Sequence, residues 1–170
     1  MMRKSALFMT IMVIVLLTSI TTTSAIGYQP VEPKDDTSTA MITSIVQENG
    51  HLYIEADHIQ WYEGEAANEK FLEREQDTGD MTGPPDGYYV INDDPQLQKL
   101  EVAADAEVFM QIYDHDGTYE SMQVEWNEPV SLHKFEAIYH NNDLLDASVF
   151  PYHLTVKDGK VVKIVQQFIP

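Results

Sequence analysis

Residues 151–170 read PYHLTVKDGKVVKIVQQFIP, two alternating apolar arms on either side of Asp158-Gly159. An Asp-Gly pair suits a tight hairpin because both central residues of such a turn need positive φ, which aspartate tolerates and glycine adopts freely. The spacing predicts strands over Tyr152–Lys157 and Lys160–Phe168, with Leu154, Val156, Val162 and Ile164 turned to a core. The same pattern recurs upstream. Ala40 to Tyr62 alternates around Asn49-Gly50, and the arms Glu107–Tyr113 and Thr118–Trp126 flank Asp116-Gly117. That second hairpin offers Val108, Met110 and Ile112 on one arm and Met122, Val124 and Trp126 on the other. In the first hairpin Leu52, Ile54 and Ala56 share one face, while Ile59 and Trp61 fall on the opposite parity. A bulge near Asp57-His58 would return both sets to the core.

Helical spacing interrupts the strands twice. Glu65–Gln76 (EAANEKFLEREQ) is rich in helix formers, and Ala67, Phe71 and Leu72 make a narrow apolar stripe. Ser131 is a good N-cap for a helix carrying Leu132, Phe135, Ile138 and Tyr139, which Asn141-Asn142 can end. Between them Asp77–Gly87 is a glycine- and proline-rich loop, and Tyr88–Ile91 is a short strand stopped by Asn92-Asp93-Asp94-Pro95. Three hairpins, one extra strand and two short helices predict a mainly β domain of about seven strands, whose edges must be closed or covered. A small, twisted, OB-like barrel fits the strand lengths better than a two-sheet sandwich, because helices break the strand series at two points.

Residues 1–25 have the three zones of a secretory signal peptide: basic Arg3 and Lys4, an uncharged apolar stretch from Ser5 to Ile20, and a small-residue run ending at Ala25. The apolar core is shorter than the roughly 20 residues that span a bilayer, which favours cleavage over an anchor. Residues 26–39, IGYQPVEPKDDTST, carry prolines and charges without apolar period and read as a disordered tether, leaving 40–170 as a single β-rich domain. The chain has no cysteine, so an exported domain here must rest on its core rather than on disulfides.

Charge narrows the partners. The chain of 170 residues carries 28 acidic and 10 basic side chains, a formal −18. Loss of Arg3 and Lys4 with the signal leaves 8 basic against the same 28 acidic residues, a formal −20. Nucleic acid is excluded as a partner, since phosphate neutralisation needs clustered Lys and Arg. Acidic membranes are disfavoured for the same reason, and no membrane insertion is expected after signal cleavage.

The segments GYYVINDDPQLQKLEVAADAEV (Gly87–Val108) and PYHLTVKDGKVVKIVQQFIP (Pro151–Pro170) carry a resemblance. Through them the region 41–170 resembles a group of secreted proteins of Bacillus-type Gram-positive bacteria that have no assigned function. The resemblance implies an exported β-rich domain and transfers no catalytic residue.

Acidic side chains supply the candidate sites. Counted from Asp114, carboxylates fall at places 1 (Asp114), 3 (Asp116) and 12 (Glu125) of an EF-hand calcium loop, with Thr118 at place 5, but Tyr119 stands where the sharp turn needs glycine. The plainer reading is a hairpin turn. Asp93 and Asp94 could hold a hard cation at a strand end, or form an Asx turn before Pro95. Weak calcium binding is the single cofactor expectation. Glu55, Asp57, Glu63 and Glu65 lie near Trp61 and Tyr62, the composition of a sugar-hydrolysing cleft, although the parity of Trp61 favours a core place. The histidines, at 51, 58, 115, 133, 140 and 153, show no pair four apart, and neither GxSxG nor a phosphate-binding glycine loop occurs.

These observations predict an exported, acidic, non-catalytic module, extracellular or retained at the cell envelope, that binds a protein or cell-wall component. Two alternatives stay open: a secreted carbohydrate-active hydrolase using paired carboxylates, and a calcium-dependent structural protein.

Overall fold

The computed structural model describes residues 27, 28 and 30–169, so the signal peptide read over residues 1–25 lies outside the described residues. Its strands and helices follow in the order β1 (Thr37–Glu48), β2 (His51–Glu63), α1 (Gly64–Arg74), β3 (Tyr88–Ile91), β4 (Leu97–Met110), β5 (Glu128–Val130), α2 (Leu132–Tyr139), β6 (Pro151–Lys157) and β7 (Lys160–Gln166). Five strands close on themselves: β1 pairs with β2 and β6, β6 with β7, β7 with β4, and β4 with β2. Only β4 and β7 run parallel within that circuit. β3 extends the far end of β2, and β5 the far end of β4, as two short strands outside the closed barrel. The result is the small OB-like barrel with two helices that the hairpins predict.

Two of the three expected turns form as read. Asn49 (φ 52°) and Gly50 (φ 82°) are both left-handed, as are Asp158 (φ 51°) and Gly159 (φ 77°), which matches the twist of the flanking strands. The second hairpin differs. Only Gly117 of the Asp116-Gly117 pair has positive φ, and Thr118–Trp126 is not a strand but a loop with a 3-10 turn at Tyr119–Ser121. The partner of β4 there is β5, through Val108↔Val130 and Met110↔Glu128. Hydrogen bonds donated by the loop's own Gly117 and Thr118 N–H groups to the Asp114 and Asp116 carboxylates hold it in place of a ladder.

β4 begins at Leu97, ten residues before the expected Glu107. Leu100 and Val102 point inward, as do Val108 and Met110, but the β4–β7 register slips between Val102 and Glu107. The excursion over Ala103–Ala106 hides the period that would mark one long strand. No bulge forms at Asp57-His58; a separate one lies in β1, where Thr43 is left over between Ile42↔Ala56 and Ser44↔Glu55 and brings Ile45 back to the core. Val162 is likewise the extra residue opposite the β6 step Thr155/Val156, and Val161 takes the inward place expected for it. β1 also reaches past the expected boundary, because Thr37, Ser38 and Thr39, read as tether, pair with Thr155, Leu154 and His153 of β6.

The barrel interior is filled by Ala40, Ile42, Ile54, Ala56, Leu154, Val161 and Ile164, with Phe135 of α2 and Tyr152 fully buried among them. Ser131 caps α2 as expected, its hydroxyl accepting from the Lys134 N–H at 3.2 Å. The buried tyrosines keep their hydroxyls satisfied: Tyr152 donates to the Ala147 carbonyl at 2.7 Å and Tyr139 to the Ile42 carbonyl at 2.7 Å. Burial pushes the phenols of both upward. α1 turns Ala67 and Phe71 inward, while Leu72, expected in the same stripe, is exposed. No helix among the described residues is long and apolar enough to cross a membrane.

Candidate functional site

The outer face of a barrel is normally the wet one, yet one row across it is mostly apolar or buried. Register places Phe109 of β4, Val165 of β7, His153 of β6, Thr39 of β1 and Ile59 of β2 side by side. Val165, His153 and Ile59 are each less than a tenth exposed. The parity change in β2 is therefore no bulge: Ile59 and Trp61 stay on the outer face, and that face is covered. Trp61, expected in the core, lies outside it, stacking on Tyr88 with ring centroids 4.6 Å apart.

The cover comes from Tyr28, Trp126, Gln167 and Phe168. Tyr28 packs on Trp126, and Trp126 on Phe168, at centroid distances of 5.1 and 5.3 Å. A hydrogen-bond chain runs through Tyr28 and Gln167 of this cover. Gln167 Oε1 can only accept, so His153 Nε2–H donates to it at 2.7 Å, and the other ring nitrogen of the neutral imidazole accepts from the Thr39 hydroxyl at 3.0 Å. The Gln167 amide donates to the Tyr28 hydroxyl oxygen at 2.6 Å and to Glu63 Oε1 at 3.0 Å. Tyr28 O–H and Trp61 Nε1–H donate to the same Glu63 oxygen at 2.9 and 3.1 Å. Burial, with the neighbouring carboxylate adding to it, pushes the Tyr28 phenol up to about 12. Burial pushes the His153 imidazole down.

Two open clefts flank this chain and share His153, Pro30, Val31, Glu32 and Thr37. One, of about 560 Å³, runs over Ile59, Trp61 and Glu63. The other, of about 500 Å³, is walled by Lys34, Thr37, Phe109, Thr155, Lys157 and Lys163. Of the acids expected near Trp61, only Glu63 lines either cleft. Glu55 accepts from the Ser44 hydroxyl at 3.0 Å, Asp57 from the Asn92 amide at 2.8 Å, and Glu65 is exposed on the first turn of α1.

The predicted metal ligands scatter. Asp93 pairs with Arg74 at 2.8 Å, and Asp94 accepts from the Gln96 N–H at 3.1 Å in the turn before β4. Asp114 accepts from the Gly117 N–H and the Asn141 amide, and Asp116 from the N–H and hydroxyl of Thr118. The Thr118 and Ser121 hydroxyls hold the Asp116 carboxyl below its usual range. Glu125 alone of these joins a ligand-like group, with His115 and Glu128, whose donor atoms lie within 4.8 Å of one another. His115 Nδ1 faces the Tyr113 carbonyl at 3.0 Å and so carries a proton, and Nε2 meets Glu128 Oε2 at 2.9 Å. One nitrogen and two carboxylates are a donor set for a borderline divalent ion such as zinc rather than for calcium, which takes oxygen throughout.

Sequence reading missed His153 and Gln167, which carry no motif and become neighbours only through strand pairing. Their one signal is polar residues set in the apolar arms of the last hairpin. No family model, no curated protein and no solved structure matches the chain.

Proposed function

We propose that the chain is an exported, acidic, non-catalytic binding module that works at the cell envelope and takes its ligand in the paired clefts on the outer face of the barrel. The observation that carries this reading is the covered row: a barrel face with buried His153, Val165 and Ile59 flanked by two clefts of about 500 and 560 Å³. Ligand sites are concave and mostly apolar, with a few fixed polar groups, and the His153–Gln167–Glu63 chain supplies such groups. The non-catalytic reading draws support from the acids near Trp61, which do not gather in one cleft. The signal-like residues 1–25 and the resemblance to Bacillus-type secreted proteins support export.

Cosedimentation of residues 26–170 with Gram-positive sacculi and with membrane vesicles tests the reading. Thr155→Trp, which fills the lysine-walled cleft, should abolish binding while leaving the melting temperature within a few degrees. Binding unchanged by Thr155→Trp removes the lysine-walled cleft as the site.

A second reading, a cation-stabilised loop, is favoured by the meeting of His115, Glu125 and Glu128. A melting temperature lowered by chelator and restored by zinc supports it, and indifference to both removes it.

A further inference from the structure

Cations are scarce in this chain, and their distribution is uneven. Eight of the ten Lys and Arg lie among the described residues. Four of those eight are ion-paired: Lys70 with Glu73, Arg74 with Asp93, Lys99 with Glu48 and Lys160 with Glu101, at 2.6 to 2.8 Å. The four without a carboxylate partner among the described residues are Lys34, Lys134, Lys157 and Lys163. Lys134 rests over the Tyr113 ring. The other three all line the cleft of about 500 Å³ between β6, β7 and the segment leading into β1.

In a chain with nearly three acids for every base, a surface cleft drawn at random should be negative. This one holds three lysines against two acids, Glu32 and Asp36. The lysines come from separate elements: Lys34 from the N-terminal segment, Lys157 from the end of β6 and Lys163 from the middle of β7. Lys163 is held by the Phe109 ring, with Nζ 4.8 Å from its centroid, which fixes the charge without neutralising it. The hydroxyls of Thr37 and Thr155, 3.0 Å apart, lie in the same wall. Three like charges facing one concavity, none of them in contact with a carboxylate among the described residues, repel one another, and an anion between them lowers that cost.

We propose that this cleft binds a small ligand through an oxyanion, phosphate or carboxylate, held by Lys34, Lys157 and Lys163, with the ligand's apolar part against Phe109, Val165 and Val31. The proposal rests on the binding-module reading and names the chemistry of its ligand. It also reverses the expectation from net charge. The overall −18 repels anions at long range, but at 0.15 M salt screening within about 8 Å leaves the local lysines dominant.

The test is an NMR titration of the 26–170 protein with inorganic phosphate, with acetate and with chloride at constant ionic strength. Saturable shifts of the Phe109, Thr155, Lys163 and Val165 amides with phosphate or acetate, absent with chloride, are expected, and their ranking separates phosphate from carboxylate. The double variant Lys157→Glu/Lys163→Glu should weaken binding at least tenfold, and Lys134→Glu less than twofold. If the charge reversal does not fold, Lys157→Gln/Lys163→Gln takes its place. Non-saturating shifts, saturable shifts away from the cleft, or an equal loss in Lys134→Glu would overturn the proposal. A failure here while Thr155→Trp still blocks envelope binding removes the oxyanion and leaves the binding module standing.

Discussion

The Tyr28 hydroxyl donates to Glu63 Oε1 at 2.9 Å, joining a segment that composition reads as a tether to the end of β2. The same carboxylate oxygen gathers Trp61 and Gln167, so one acid ties Tyr28, the first hairpin and the residue just past β7 together. Removing the hydroxyl leaves the Gln167 amide without one of its acceptors. Tyr28→Phe should cost about 1–2 kcal/mol in urea unfolding. Hydrogen exchange should rise over residues 30–36. An unchanged midpoint and unchanged exchange would show that the segment is not fastened by this contact.

His153 sets a pH limit on that fastening. Burial lowers its folded pKa below the unfolded value, so the unfolded chain takes up a proton first as pH falls. The stability associated with a neutral His153 is complete above the unfolded value of about 6.5 and declines as pH drops through it toward the lower folded value. Wild-type melting temperature should therefore fall between about pH 7 and pH 5 more steeply than that of His153→Gln. Parallel slopes for the two proteins would contradict this assignment.

The core depends on aromatic volume. Phe135 is fully buried, with its ring centroid 5.7 Å from that of Tyr152. Phe135→Ala should destabilise by about 3–5 kcal/mol, enough to unfold much of a marginal domain at 37 °C. Tyr152→Phe strips only the hydroxyl and orphans the Ala147 carbonyl, and should cost about 1–3 kcal/mol. Denaturant midpoints at constant slope measure both.

The start of α2 offers a smaller, separate check. Ser131→Ala removes the acceptor for the Lys134 N–H and should cost about 1 kcal/mol. Ser131→Asp, which keeps an acceptor, should be close to neutral. Equal losses for the two would place the effect outside the cap.

Turn chemistry at Asn49-Gly50 and Asp158-Gly159, cap chemistry at Ser131 and alternation in the β6–β7 arms are local, and each can be read from a few adjacent residues. They were sufficient for a mainly β, OB-like barrel with two helices. Local patterning is blind where tertiary pairing adds or removes residues. The excursion at Ala103–Ala106 concealed half of β4, and the parity change at Asp57-His58 marked a covered outer face where alternation alone suggested a bulge. Asp116-Gly117 carried the composition of a hairpin turn, but the loop's side-chain hydrogen bonds occupied it.

The clefts show the same division more sharply. Sequence alone determined that the chain is acidic, that its hairpins must close, and that Asp114, Asp116, Asp93 and Asp94 have turn-forming neighbours. Only the tertiary structure decided that Thr39, His153 and Gln167 stand in one hydrogen-bonded chain and that three of the scarce lysines face one concavity. The reason is physical: charge and turn propensity are sums over near neighbours, whereas a site is built from strands that barrel closure brings side by side across more than a hundred residues.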